Sequence, residues 1–236
     1  MTPSSDRGRR RLRRLGDALL YVVTGAREER GDLRSFLDAV LRGGADVIQL
    51  REKDAEASVL LRAGAAFQRA AEEHGGLFVV NDRPDIALAL GADGVHLGQD
   101  DLPVSVARQI LGPDALIGVS THTPAQFEAA DRDASYLCAG PVFATPTKAG
   151  RPATGLDLVR FAADRANRHL ERRAWFAIGG LDTTTLPGVV AAGAQRAVVV
   201  RAVDTDDPEA AARALRERLM RAVHALDDER ENVYGR

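Results

Sequence analysis

Residues 77–97 read LFVVNDRPDIALALGADGVHL. A run of large apolar residues, Leu77–Val80, stops at the polar pair Asn81-Asp82; a helix-like stretch follows, and Gly91-Ala92 leads into a second run, Gly94–Leu97. Short apolar runs bounded by turn residues mark strands buried on both faces, and a helical segment between two of them marks a parallel crossover. The same unit recurs in both directions along the chain. Apolar runs stand at Leu19–Thr24, Val47–Leu50, Leu116–Val119, Tyr136–Phe143, Trp175–Ile178 and Ala197–Val200, which brings the total to eight. Intervening stretches such as Ser35–Leu41, Ser58–Glu73 and Pro208–Leu226 carry apolar residues three and four apart, the helical period. The pairs Gly44-Ala45, Gly91-Ala92 and Gly193-Ala194 each precede a strand, where Gly ends a helix at positive φ and Ala permits close helix–strand packing.

Eight strand–helix units predict an α/β fold of one domain, a (β/α)₈ TIM barrel, and 236 residues is a suitable length for it. The rival is an open doubly wound sheet, which usually shows a Gly-rich fingerprint after its first strand; here that strand ends in Thr24-Gly25-Ala26-Arg27. The barrel is expected to span residues 17–226. Residues 1–16, with six Arg between Arg7 and Arg14 and little that is apolar, read as a disordered basic tail, and residues 227–236 as a polar C-terminal tail.

A formal charge of −2 argues against a protein built to coat nucleic acid, so any basic site is local. One cysteine, Cys138, allows neither an internal disulfide framework nor a thiolate zinc site, and fits a cytoplasmic setting. No apolar run approaches the ~18 residues of a membrane span. The expected partners are small molecules, with no nucleic acid and no membrane, and the sequence admits a homo-oligomer.

Active sites of such barrels form at the C-terminal ends of the strands, and those segments are polar here. They are Gln49-Leu50-Arg51-Glu52-Lys53, Asn81-Asp82, Gly98-Gln99-Asp100-Asp101, Ser120-Thr121-His122 and Gly140–Lys148. The chain has thirty Arg and two Lys, and both lysines, Lys53 and Lys148, fall in these segments. Where Arg serves every other cationic need, a retained Lys points to a requirement for a compact ammonium. Period-two alternation aims Gln49, Arg51 and Lys53 at one side, into the barrel mouth, where buried cations need an anionic partner such as phosphate or the carboxylates of Asp82 and Asp101. Two carboxylates beside a phosphate suit Mg²⁺, with Asp100 a competing ligand. Thr145-Pro146-Thr147-Lys148 offers hydroxyls, amides and an ammonium for a diphosphate, and Gly179-Gly180 with Val200-Arg201 stands where barrels often hold a phosphate. His96 and His122 lie nearest the mouth, while His74, His169 and His224 fall in helical stretches; Cys138 reads as a small buried hydrophobe.

Gln49–Lys53, Val80-Asn81-Asp82, Gly94–Gln99 with Asp101, Gly118-Val119-Ser120, Gly140-Pro141, Thr145–Lys148 and Ile178-Gly179-Gly180, taken in this order, resemble the thiamine-phosphate synthase family from about residue 19 to 203. The resemblance implies a transferase. It would join 4-amino-2-methyl-5-hydroxymethylpyrimidine diphosphate to 4-methyl-5-(2-phosphooxyethyl)thiazole by Mg²⁺-assisted dissociative substitution. It implies that Gln49, Arg51, Lys53, Asn81, Ser120, Thr145, Thr147 and Lys148 contact the pyrimidine diphosphate, with Arg51, Lys53 and Lys148 stabilising the departing diphosphate. Asp82 and Asp101 would bind Mg²⁺, and Gly180, Val200 and Arg201 occupy the thiazole-phosphate positions. Two departures stand out: Gly25 where the family often has Asp, and Arg201 where Ser is common. Competing readings are a thiazole tautomerase-like isomerase, for which His122 could be the acid/base, and a non-catalytic barrel that binds thiamine precursors.

Overall fold

The computed structural model describes residues 3–130, 132–145, 152–168 and 173–234. Eight parallel strands close in sequence order into a barrel: β1 Leu20–Thr24, β2 Val47–Leu50, β3 Leu77–Asn81, β4 Gly94–Leu97, β5 Leu116–Thr121, β6 Tyr136–Ala139, β7 Ala174–Ile178 and β8 Ala197–Val199. β8 returns to pair with β1 through Leu20↔Ala197 and Tyr21↔Val198, so the sheet has no free edge and the doubly wound alternative is excluded. Helices α2 Leu33–Arg42, α3 Ala57–His74, α4 Pro84–Leu90, α5 Val104–Leu111, α6 Pro124–Ala129, α7 Gly155–Arg168 and α8 Leu186–Ala191 follow β1 to β7, and α9 Pro208–Tyr234 follows β8.

Alternation along the strands divides the core into two layers. Val22, Ile48, Val80, Val95 and Ile117 face outward and pack with the helices, while Tyr21, Val23, Val47, Val79, Tyr136, Cys138, Phe176 and Val198 fill the barrel. The three Gly-Ala junctions behave as the sequence implies, with Gly44, Gly91 and Gly193 at φ +98°, +64° and +103°. Two of these junctions continue into Asp. Asp46 accepts hydrogen bonds from the Leu19 and Leu20 amides at 2.8 and 3.0 Å, and Asp93 from the Phe78 amide at 2.9 Å, so each carboxylate ties one strand start to its neighbour. Among the described residues no helix is long and apolar enough to cross a membrane.

Three expectations are corrected. The basic segment is not a disordered tail: Asp6–Asp17 form helix α1, capped by the Ser5 hydroxyl accepting from the Gly8 amide, and it lies across the N-terminal ends of the strands. Gly8, Arg11 and Leu15 form its buried face. Arg11 is 8% exposed; its guanidinium donates to Asp93 Oδ1 at 2.8 Å and to the carbonyls of Ala92 at 3.1 Å and Asp114 at 3.3 Å, while Leu15 enters the barrel core. The low apolar content hid this, because one guanidinium here serves strand-start carbonyls that no apolar residue could satisfy. At the other terminus α9 continues as helix to Tyr234, past the boundary expected at 226. Finally, β6 stops at Ala139, and Val142 and Phe143 donate to the Ile178 and Gly179 carbonyls at 2.8 and 3.0 Å from a loop beside β7.

Candidate active site

The C-terminal ends of the strands surround a cavity of about 280 Å³. Seven of the residues expected there line it: Gln49, Arg51, Asn81, Thr145, Gly180, Val200 and Arg201. Ser120 lies deeper, 3% exposed on β5, with its hydroxyl 2.9 Å from His96 Nε2. Lys53 departs from the alternation argument. β2 ends at Leu50, so position 53 sits in a turn with a half-exposed side chain, its Nζ 4.0 Å from Asp82 Oδ2 at the rim. Thr147 and Lys148 lie outside the described residues.

Asp82 and Asp101 meet. Asp82 follows β3 in the left-handed region at φ +61°, a conformation that Asp tolerates better than most residues. Burial, together with a hydrogen bond and charge repulsion from Asp101, pushes its carboxyl up to about 6, while Lys53 and Arg51 pull the other way. Below that value the Asp82 carboxyl holds a proton with which a cation would compete. Asp101 Oδ2 also accepts from the Gly98 amide at 2.6 Å, which fixes it toward Asp82, whereas Asp100 is exposed. Of the two acidic residues after β4, Asp101 is therefore the one built into the site. A separate trio, Asp38, Glu73 and His74 on α2 and α3, has ligand atoms within 4.8 Å of one another and could hold a divalent ion. It lies on the outer ring of helices, and Arg34 pairs with both of its carboxylates.

The phosphate-binding candidate is a backbone feature. Gly179 and Gly180 follow β7 at φ +106° and +67°, and a Cβ on Gly179 would stand 2.5 Å from Pro141 Cα, so no side chain fits between the two loops. Asp182 holds the turn by accepting from the Thr184 and Thr185 amides at 2.8 and 2.9 Å. Val200 leads into a 3₁₀ turn, Arg201–Val203, across the cavity from this loop. At Gly25 a Cβ would meet Glu52 Oε2 at 2.4 Å, the movable end of a side chain that here accepts from the Ala26 amide at 3.0 Å.

Sequence reasoning missed the floor. Tyr21, Cys138, Ile178 and Val198 line the cavity from inward-facing strand positions, and alternation alone could have nominated them. His96 is 6% exposed inside the barrel and lines the cavity from β4. His122 is not among the lining residues, and its Nδ1 stands 2.5 Å from the Gly140 carbonyl.

Residues 20–203 match the family model described as thiamine monophosphate synthase. The chain is 54% identical over 217 residues to the thiamine-phosphate synthase of Mycobacterium sp. strain KMS, covering 87% of this chain and 94% of that protein. It is 53% identical over 220 residues to the one from Mycobacterium tuberculosis strain H37Ra, covering 89% and 98%. Among solved structures, thiamine phosphate pyrophosphorylase from Pyrococcus furiosus superposes with a TM-score of 0.77 at 30% identity, over 88% of this chain and 98% of that one. The barrel of 3-hexulose-6-phosphate synthase, at 21% identity and a TM-score of 0.58, shares the fold alone. A family match that runs from the first strand to the turn after the last, over the same residues that build the cavity, leaves one assignment: the chain belongs to the thiamine monophosphate synthase family.

Proposed function

We infer that this chain is a thiamine-phosphate synthase, a transferase that condenses 4-amino-2-methyl-5-hydroxymethylpyrimidine diphosphate with 4-methyl-5-(2-phosphooxyethyl)thiazole to give thiamine phosphate and diphosphate. The observation that carries the reading is the convergence, in a member of this family, of Gln49, Arg51, Asn81, Thr145 and the Gly179-Gly180 loop on one cavity. Its partners are these small molecules, and a cytoplasmic setting agrees with its lone, buried Cys138.

The bond between the pyrimidine methylene carbon and the diphosphate oxygen breaks with both electrons leaving on oxygen. Arg51, Lys53 and Lys148 stabilise the charge that develops there, and Asn81, Thr145 and Thr147 orient the phosphates. The methylene cation left behind is spread over the aminopyrimidine ring, which Gln49 and Ser120 hold. Apolar Ile178, Val198 and Cys138 around it exclude water that would otherwise capture the cation. The thiazole nitrogen then donates its lone pair to the same carbon, its phosphate held by the Gly180 amide, Val200 and Arg201. Asp82 and Asp101 would hold a divalent cation, Mg²⁺ in our reading, which when bound neutralises charge on the phosphate oxygens. The raised Asp82 carboxyl fits that assignment.

The tautomerase reading asks His122 to exchange protons with substrate, and His122 is not among the residues that line the cavity. The test is direct: purified folded protein, supplied with both substrates and Mg²⁺, forms thiamine phosphate and diphosphate in equal amounts, and omission of Mg²⁺ suppresses both. Absence of product from folded protein refutes the assignment.

A further inference from the structure

At the floor of the cavity, which Gln49, Tyr21 and His96 line, five buried side chains form a continuous hydrogen-bonded chain across the barrel. Gln49 Nε2 donates to the Tyr21 hydroxyl, the Tyr21 and Tyr136 hydroxyls stand 2.9 Å apart, Tyr136 is 3.2 Å from His96 Nδ1, and His96 Nε2 is 2.9 Å from the Ser120 hydroxyl. All five are at most 6% exposed. Tyr136 is the hub and does not itself line the cavity. Its place at the barrel centre depends on Gly118, since a Cβ there would lie 2.1 Å from Tyr136 Cζ. A barrel core is ordinarily filled by branched aliphatic side chains, and here one strand gives up its side chain to admit a phenol.

We propose that Tyr136, acting through Tyr21 and His96, is a positioning residue that fixes the amide orientation of Gln49 and thereby selects a 4-amino over a 4-oxo pyrimidine. The proposal rests on the reading of the cavity as the pyrimidine site. Burial raises both phenols far above their ordinary range, so each keeps one proton to donate. Because the Tyr21 oxygen accepts from Gln49, its own proton goes to Tyr136; because Tyr136 accepts from Tyr21, its proton goes to His96 Nδ1. His96 Nε2–H then donates to Ser120, and every hydrogen bond runs one way. Turning the Gln49 amide over would require all four bonds to reverse together. With Nε2 committed to Tyr21, the acceptor oxygen Oε1 is what Gln49 offers a ligand in the cavity. An acceptor at that point favours an exocyclic amino group and repels a carbonyl.

The test uses Tyr136→Phe, which keeps the ring and deletes the hub hydroxyl, with His96→Phe as a second break in the same chain. Each variant is assayed with both substrates, and with the 4-oxo analogue of the pyrimidine diphosphate as competitor. Thermal melts confirm folding. We expect both variants to raise KM for the pyrimidine diphosphate and to lose discrimination against the 4-oxo analogue by about tenfold, the scale of one misdirected hydrogen bond. KM for the thiazole phosphate stays at its wild-type value. A folded Tyr136→Phe protein with wild-type discrimination overturns the proposal while leaving the enzyme assignment intact. Equal rises in both KM values would show a general loosening of the core and also overturn it. A wild-type chain that makes no thiamine phosphate would overturn both the proposal and the reading beneath it.

Discussion

At the N-terminal end of the barrel, Arg11 directs its guanidinium at three fixed acceptors, Asp93 Oδ1 and the carbonyls of Ala92 and Asp114, and is 8% exposed. At the C-terminal end, Arg51 and Arg201 line a cavity, and among the described residues neither guanidinium donates a hydrogen bond. The residue type is the same and the opposite arrangement follows from what each end must do. A cation whose donors are all taken by backbone and carboxylate holds structure together; one left with its donors free in a concave site is poised for an anion. Residue type and count could not separate these roles, whereas the identity of the acceptors does.

The largest effect expected from this contrast falls on chemistry at the open end. Lys148→Ala should slow the chemical step by ~10²–10³, and Lys148→Arg should recover only part of it, because a planar guanidinium cannot place charge as an ammonium does. The melting temperature should not move. Single-turnover rates at saturating substrate measure this, and a wild-type rate for either variant would mean Lys148 does not act on the leaving group.

The mirror-image experiment is Leu15→Ala at the closed end. Leu15 is 2% exposed, and truncating a buried Leu costs about 2–5 kcal/mol. For a chain of this size the melting point should drop by roughly 5–15 °C, with the rate per folded molecule unchanged. Arg11→Ala should follow with about 2–3 kcal/mol, since it strands a carboxylate and two carbonyls. Its signature is loss of stability with intact kinetics; a Tm within a degree of wild type would show that α1 does not dock in solution.

The smallest effect concerns the acidic pair. Asp82 takes up its proton at about 6, so below that pH a proton competes with Mg²⁺, and above it the carboxylate is free to bind. Apparent Mg²⁺ affinity should therefore rise with pH up to about 6 and level off beyond it, and Asp82→Asn should abolish the slope. Titrating Mg²⁺ against initial rate at several pH values reads this out, and a flat profile in the wild type would detach the raised carboxyl from the metal.

The barrel was legible because eight apolar runs and the Gly-Ala junctions are local signals, each set by the backbone of a few residues. Gln49, Arg51 and Asn81 were legible for the same reason, as polar positions at strand ends, while Thr145, Gly180, Val200 and Arg201 were legible as loop positions where barrels take phosphates. What escaped depends on distant partners. Helix α1 looks unstructured until Asp93 and Asp114, about a hundred residues away along the chain, supply its acceptors. The exposure of Lys53 depends on where β2 stops, and β2 stops at Leu50 although the alternation continues in the sequence. Tyr21 and Tyr136 read as ordinary strand aromatics, since nothing near either one announces that the other hydroxyl stands 2.9 Å away.

The plug formed by α1 also decides how molecules move. Above Leu15 the rings of Tyr21, Tyr136 and Phe176 meet edge to face, with centroids 5.5 to 6.0 Å apart, and fill the lower barrel. The cavity is a well closed at its lower end by this packing, so whatever lodges at its floor leaves toward the C-terminal ends of the strands. On our reading the pyrimidine lies against Gln49 at the floor and the thiazole phosphate beside Gly180 and Arg201 nearer the mouth, which imposes a queue: pyrimidine in first, thiazole second. An unreactive thiazole phosphate analogue should then slow the escape of pyrimidine diphosphate already bound, which a pulse-chase measurement would register. Escape at an unchanged rate would mean the well has a second way out.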